Sequence, residues 1–513
     1  MKKFKWLFDE VAKYASWFRL GKTFRTEEKF YFYDTGTGKV FEISEEEFKI
    51  LDCLFKTNKF ENLDKINLPK KEIEAVLENI AEAIKTHKIL SAPRLTHENV
   101  GQNHINNLET ALQNNMHSIT LELTEKCNLR CKYCIYNTNY ADYRDFGCKN
   151  MSFDTAKSAI DFLMEHSSVQ QKVSIGFYGG EPLLQFMLIK EIIAYTEDKY
   201  SYRDVSYSMT SNMTLMTEDK ARFLSQIKKF SLVASIDGPK EIHDENRIFS
   251  NGEGTFDAAI QGLKTYASFQ KNSVNKDKPI MCSLVMSEPY TEEKFTRINS
   301  FFDKLKQEIK VGVLISYVSR SPKPTQYIPI YNRPENDWQD NNVYVYDPLM
   351  IFNYNNIEAN NFTDDYFTQE MVNIHMRSIS DNPMENYSLN SCCIPGSRRL
   401  YITTEGQFLP CERVGSQFTI GDVTEGFNIE KIKKYYINDF IEQEIKYCGE
   451  CWAINICSNC YIGCFGKANV DFSYRHSMCN GTRKRISESL YLYHKLLECH
   501  PDVILKLNDI KIE

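Results

Sequence analysis

Six short apolar runs of strand character, at 119–123, 173–178, 205–209, 232–236, 280–285 and 311–315, alternate with helical patterns near 154–166, 185–199, 217–228, 255–268 and 291–308. Parallel strands cannot be joined by a tight turn, so each helix reads as a crossover. The expectation is an α/β architecture with six parallel strands, either open or barrel-like. In such architectures active sites gather at the C-terminal ends of the strands, so the loops after each run matter most.

The chain has 513 residues, which the length prior divides into about three to four units. Residues 1–95 form the first. From residue 28 it carries two β-rich arms around the turn-forming DTGTGK, then helical patterns over 44–56 and 70–87. Ser44 and Glu47 are spaced for a capping box. A hairpin followed by helices fits a winged-helix module. Residues 96–114 are polar and read as a linker, and 115–318 hold the α/β pattern. Residues 319–390, rich in Asn, Asp, Tyr and Pro, read as a connecting insertion. Residues 391–485 are cysteine-dense, and 486–513 close the chain with a helix and tail.

A net charge of −7 argues against a nucleic-acid or anionic-membrane partner. The start, MKKFKWLFDE, is basic, but Asp9 and Glu10 interrupt it before a signal-peptide core could form. No stretch approaches the ~20 apolar residues of a membrane span. The expected location is the cytoplasm, where thiols stay reduced, so the 16 cysteines point to metal or catalysis rather than disulfides.

Just after the first run, LTEKCNLRCKYC places Cys127, Cys131 and Cys134 at CxxxCxxC spacing. Soft thiolates suit iron–sulfur clusters, and a 4Fe–4S cluster held by three leaves one iron open to substrate or cofactor. A zinc site built from three of these thiols and a distant fourth ligand is the alternative. Tyr133, between the last two cysteines, fits a ring packed beside the site.

The CNLRCKYC run resembles the signature of the radical S-adenosylmethionine (SAM) superfamily, and the resemblance covers residues 117 to about 317. It implies a partial (β/α)6 barrel and a 4Fe–4S cluster whose open iron chelates SAM. Reductive cleavage of SAM then yields a 5′-deoxyadenosyl radical, chemistry that the cofactor supplies. Three more motifs follow successive strands. YGGEPLL resembles the glycine-rich SAM motif, which gives Gly179 and Gly180 a close backbone approach and Glu181 a contact with the methionine ammonium. TSN puts Ser211 and Asn212 where the family binds ribose. SIDGPKEIHDENR offers Ser235, Asp237 and Arg247, the last resembling the family's partner for the SAM carboxylate.

The second cysteine field contains Cys393, Cys411 and the run CGECWAINICSNCYIGC, which holds Cys448, Cys451, Cys457, Cys460 and Cys464, with Cys479 beyond. Two CxxC pairs suggest a zinc ribbon, but ribbons separate their pairs by ~15–20 residues, a far wider gap than that between Cys451 and Cys457. The field resembles a SPASM domain, the auxiliary-cluster extension of peptide-modifying radical SAM enzymes. That resemblance implies two more 4Fe–4S clusters: one on Cys393, Cys411, Cys460 and Cys464, the other on Cys448, Cys451, Cys457 and Cys479. The spacing departs from the commoner CxxCx5CxxxC, with Cys460 one residue early and Cys464 extra. It leaves open both the Cys460/Cys464 split and the choice between Cys392 and Cys393. Of the rest, Cys53 and Cys282 read as buried hydrophobes and Cys148 as a loop thiol near the triplet.

The N-terminal unit resembles the recognition element that binds a leader peptide by strand addition. Together the resemblances imply a maturase of a ribosomally made precursor peptide, joining cysteine sulfur to an α-carbon as in sactipeptides. They also imply a reducing partner such as flavodoxin or ferredoxin. Rival readings are formylglycine formation in sulfatases, C–C crosslinking, β-thioether formation, epimerisation with Cys148 as hydrogen donor, and a non-enzymatic zinc-stabilised scaffold. Sulfatase maturases carry an aspartate directly after the cysteine equivalent to Cys411, where this chain has Glu412.

Overall fold

A computed structural model describes residues 4–12, 16–136, 146–318, 347–358, 361–389, 392–415, 417–465, 470 and 472–510. Near the N-terminus, strands β1 (Gly21–Arg25), β2 (Phe30–Asp34) and β3 (Val40–Ile43) form an antiparallel sheet in the order β1-β2-β3. The DTGTGK turn joins β2 to β3. The next helix, Glu45–Thr57, starts with a full capping box: Glu47 N donates to Ser44 Oγ at 3.1 Å, and Ser44 N donates to Glu47 Oε2 at 2.9 Å. The helix Lys70–His87 follows, and its buried Ile73, Val76, Leu77, Ile80 and Ala81 join Phe32, Leu51 and Leu54 in a core belonging to this unit.

The six expected strands are all present: β4 (Ser118–Thr124), β5 (Val173–Gly179), β6 (Val205–Ser211), β7 (Phe230–Ser235), β8 (Ile280–Met286) and β9 (Val311–Tyr317). They pair in parallel in chain order. Right-handed crossovers that always step the same way put the connecting helices on one face. That leaves the other face, and the loops at the C-terminal strand ends, to form a concave site.

The sheet does not stop at these six. Strand β10 (Leu400–Ile402), from the cysteine-rich region, pairs in parallel with β4, with Leu400 opposite Ile119 and Ile402 opposite Leu121. Strands β11 (Gln407–Leu409), β12 (Gly421–Asp422) and β13 (Gly426–Phe427) continue the order as β13-β12-β11-β10-β4. Leu400, Tyr401 and Ile402 are all buried, and one apolar core runs from the parallel sheet into the second cysteine field.

Several expected boundaries change. Within 96–114, residues Gln102–Asn114 form a helix that buries Leu108, Ala111 and Leu112, so this stretch packs rather than merely links. Its apolar residues recur at helical spacing inside an Asn- and Gln-rich background that masks them. Of the insertion 319–390, residues 319–346 lie outside the described residues, but Pro348–Asn355 and Asp364–His375 are helices with apolar buried faces. The boundary at 486 falls inside one helix, Cys479–Cys499. That helix packs against the N-terminal sheet: Glu498 accepts bonds from Thr26 Oγ1 at 2.9 Å and from the Tyr31 hydroxyl at 2.5 Å. Among the described residues, no helix is long and apolar enough to cross a membrane.

Candidate active site

The loop after β4 carries the cysteine triplet, and its path is fixed by backbone bonds to two other loops. Gly180 N donates to Thr124 O at 2.7 Å and Glu181 N to Lys126 O at 2.9 Å. On the far side Arg130 N donates to Ile248 O at 2.8 Å and Lys132 N to Asn246 O at 2.9 Å. A Cβ on Gly180 would lie 2.0 Å from Lys126 O, and one on Gly179, whose φ is +125°, 2.4 Å from Thr124 O. These glycines therefore bring the β5 loop against the cysteine loop, a closer and more local duty than the cofactor approach expected of them.

Cys127, Cys131, Cys134, Tyr133, Gly179, Gly180, Glu181, Ser211, Asn212, Ser235 and Arg247 all line one cavity of 290 Å³. Residues from the loops after β4, β5, β6 and β7 thus share one cavity. Asp237 stands behind the wall: Arg247 donates to it through Nε at 2.9 Å and Nη2 at 3.1 Å, and Val285 N donates to the same carboxylate at 2.9 Å. The Tyr133 hydroxyl also bonds Asp237, and its ring lies under the Arg247 guanidinium, 5.3 Å from centroid to Cζ. Tyr133, half-buried, is therefore the third member of a triad with the buried Arg247 and Asp237. Arg247 Nη1 bonds no side chain among the described residues and belongs to the guanidinium that faces the cavity.

Glu181 and Ser211 also bond within the chain. The Glu181 carboxylate is buried and accepts from Leu183 N at 3.0 Å, Ser211 Oγ at 2.9 Å and Asn212 N at 2.8 Å. Burial pushes its pKa up, and these donors oppose the shift. Three of its roughly four acceptor positions are used to lock the β5 loop to the β6 loop. The Ser211 hydroxyl in turn accepts from Met213 N at 3.0 Å. Asn212 donates to Asn128 Oδ1 at 3.0 Å and accepts from the Thr214 hydroxyl at 2.7 Å, so it too grips the cysteine loop. Asn128 and Thr214 have no role in the motifs themselves; for Asn128 the signal in the chain is a polar residue inside the CxxxCxxC run.

Burial pushes the Cys127 thiol up to about 12 and Cys131 up to about 11, with Arg247 opposing the rise at Cys131. Thiolates in this pocket need a cation, and one backbone donor, Leu129 N, already points at Cys127 Sγ at 3.4 Å. The family model of the radical SAM superfamily matches residues 121–278. This stretch is a radical SAM domain. The superfamily's groups are a 4Fe–4S cluster and SAM, and three cysteines that line a glycine-walled cavity with a guanidinium edge are the donor types that both would use.

The radical SAM domain has relatives over different lengths. An uncharacterized protein of Methanocaldococcus jannaschii is 35% identical over 30% of this chain and 50% of its own length. A cysteine-type anaerobic sulfatase-maturating enzyme of Clostridium novyi is 25% identical over 71% of this chain and 90% of its own. The chain therefore spans half of the first relative and most of the second. The solved structure of anSMEcpe with bound AdoMet shares the fold at a TM-score of 0.52 and 19% identity, covering 77% of this chain and 100% of that one.

The second cysteine field adjoins the radical SAM cavity, because Glu412 and Arg413, directly after Cys411, line it. Arg399 Nη1 meets both Glu412 carboxylate oxygens at 3.0 Å. Cys448, Cys451, Cys457 and Cys479 line a separate small cavity together. Cys393 interacts with both Cys411 and Cys460, and its Sγ lies 3.2 Å from the Tyr461 hydroxyl. Cys392 is more deeply buried, facing Cys460, Arg475 and Glu444, and its carbonyl lies 2.9 Å from His104 Nε2. Cys464 is 1% exposed beside Arg475. Cys282 is buried as expected, Cys53 only half-buried, and Cys148 exposed and not among the cavity residues.

Proposed function

We propose that this radical SAM enzyme modifies a ribosomally made precursor peptide, joining cysteine sulfur to an α-carbon. One observation carries the peptide reading. In the N-terminal sheet, β1 is covered by the helix Cys479–Cys499, while β3 pairs only with β2 among the described strands. The edge left open lies beside the helix Lys70–His87, with the Phe41 and His87 rings 6.0 Å apart. An exposed edge next to a helix is the geometry of strand addition, with backbone bonds giving affinity. The unit is read as a winged-helix leader-recognition element.

When bound, the cluster and SAM supply a carbon-centred radical that takes a hydrogen atom from the substrate. The chain's residues set where this happens. Cys127, Cys131 and Cys134 would hold the cluster, and the free Arg247 edge would hold the SAM carboxylate while Asp237 and Tyr133 fix its direction. Tyr178, Tyr317, Glu412 and Arg413 complete the cavity wall. Each thioether would remove an α-hydrogen atom and a thiol proton, and the remaining electron would need an acceptor, which a cluster held by the second field's cysteines would supply. That field is read as a SPASM domain with clusters on Cys393, Cys411, Cys460 and Cys464, and on Cys448, Cys451, Cys457 and Cys479. A flavodoxin- or ferredoxin-type donor would supply the reducing electron.

Sulfatase maturation is the second reading, favoured by the named activity of the relative from Clostridium novyi. Coexpression with short cysteine-rich reading frames beside the gene, followed by mass spectrometry, separates the two. Loss of a hydrogen pair per crosslink supports the thioether. An unchanged mass with an inverted α-centre, or a hydrazide-reactive aldehyde on a sulfatase peptide, would sink it.

A further inference from the structure

Arg475 and Glu444 form an ion pair at 2.8 Å with both side chains 1% exposed. Taking two charges out of water costs several kcal/mol per ion, and apolar replacement of such a pair is often neutral or stabilising. Packing alone does not account for it. The pair's position does.

Arg475 lies between the two thiol sets of the second field. Its Nε donates to Cys460 O and its Nη2 to Asn459 O, each at 3.2 Å. The same guanidinium lines the cavity of Cys448, Cys451, Cys457 and Cys479, and sits 4.7 Å over the Phe440 ring. Burial raises the thiols around it, and its positive charge opposes that rise at Cys460 and the neighbouring Cys392 on one side and at Cys448, Cys457 and Cys479 on the other. Glu444 acts in the opposite sense on Cys392, Cys448, Cys457 and Cys479.

We propose that the Arg475–Glu444 pair sets the reduction potentials of two iron–sulfur clusters held by these thiol sets. Arg475 raises both potentials and Glu444 lowers them. The inference rests on the reading that both sets hold clusters. One-electron reduction adds a negative charge to a cluster without making or breaking a bond. A buried cation nearby favours the reduced form, and a buried carboxylate disfavours it. Unit charges several ångströms apart at an effective dielectric of about 20 interact by more than the energy of one decade.

The test is a mediated, dithionite-driven redox titration of anaerobically purified protein, followed by electron paramagnetic resonance, after iron analysis. Glu444→Gln should raise the reduced-to-oxidised ratio at fixed potential about tenfold, a shift of ~59 mV for a one-electron couple. Arg475→Gln should shift it the other way, and Arg475→Lys should stay near wild type. If Arg475→Gln does not fold, Glu444→Gln carries the test alone. Full iron with potentials unmoved by Glu444→Gln overturns the role of the pair and leaves the cluster reading standing. Wild-type iron sufficient for one cluster only overturns the cluster reading, and the inference with it.

Discussion

Arg247 is held by Asp237 through two parallel hydrogen bonds, at 2.9 and 3.1 Å, with the same carboxylate also accepting from Tyr133. Removing the charge of Asp237 leaves a buried guanidinium uncompensated, which costs about 3–5 kcal/mol. Asp237→Asn should therefore lower the melting temperature by many degrees and weaken SAM binding at least tenfold, read by calorimetry. Tyr133→Phe, which keeps the ring under Arg247, should cost only about 1 kcal/mol. Equal binding of SAM by Asp237→Asn and wild type would refute the positioning role.

Gly180→Ala should be far more damaging than its size suggests. Its Cβ would stand 2.0 Å from Lys126 O and 3.0 Å from Cys127 N, so the cysteine loop must move. The expected result is loss of iron at the triplet along with stability. Gly481→Ala, in the helix Cys479–Cys499 with nothing within 4 Å, is the control. It should be neutral or stabilising by up to about 1 kcal/mol. Normal iron content in Gly180→Ala would show that the loops adjust freely.

Iron, sulfide and zinc analysis of anaerobically purified protein should give about twelve irons per chain, four for each cubane. Cys131→Ser should lose about four of them and abolish 5′-deoxyadenosine formation after dithionite reduction, leaving the second field loaded. Stoichiometric zinc without iron would remove the enzyme reading.

His243 and His494 are buried and their pKa values are pushed down to about 4, chiefly by burial. An unfolded histidine titrates near ~6.5. Between these values the unfolded chain binds more protons, so stability falls as pH drops through this window, by at most about 3 kcal/mol per residue. His243 Nδ1 accepts from Asp237 N at 3.3 Å, so its protonation also removes an acceptor behind Arg247. Urea midpoints from neutral pH to pH ~4.5 should slope less in His494→Gln than in wild type. Identical slopes would refute the assignment of the acid loss to this residue.

The outer edge of β3 gives a binding test. Asp34 N donates to Lys39 O at 2.9 Å, and antiparallel alternation from that bond points the Glu42 N–H outward. Glu42→Pro removes an outward donor without cutting the inner ladder. It should weaken binding of a fluorescent precursor peptide about tenfold while SAM cleavage without peptide persists, on the scale of one charged-partner or exposed backbone bond. Unchanged peptide affinity would move the leader elsewhere.

Much of this was legible in the chain. The strand runs were legible because period and turn chemistry are local, and of the motif residues after them all but Asp237 line the cavity. The duties of Glu181, Ser211 and Asp237 were not legible. A carboxylate at a strand end looks the same in sequence whether it faces a ligand or three backbone and hydroxyl donors. The pairing of β10 with β4 was equally hidden, since parallel partners nearly three hundred residues apart leave no turn signal. Cys448, Cys451, Cys457 and Cys479, grouped by the resemblance to a SPASM domain and not by spacing, line one cavity.

The β10–β4 ladder makes the separation of the two cysteine fields a matter of register. Tyr401 lies opposite Thr120 in the strand that leads into the triplet, and β11, hairpinned to β10, leads into Cys411. A slip of one residue would displace Cys411 by about 3.3 Å and turn every side chain of β10 to the wrong face. The spacing between the two cysteine fields is thus gauged by the backbone hydrogen bonds of this ladder.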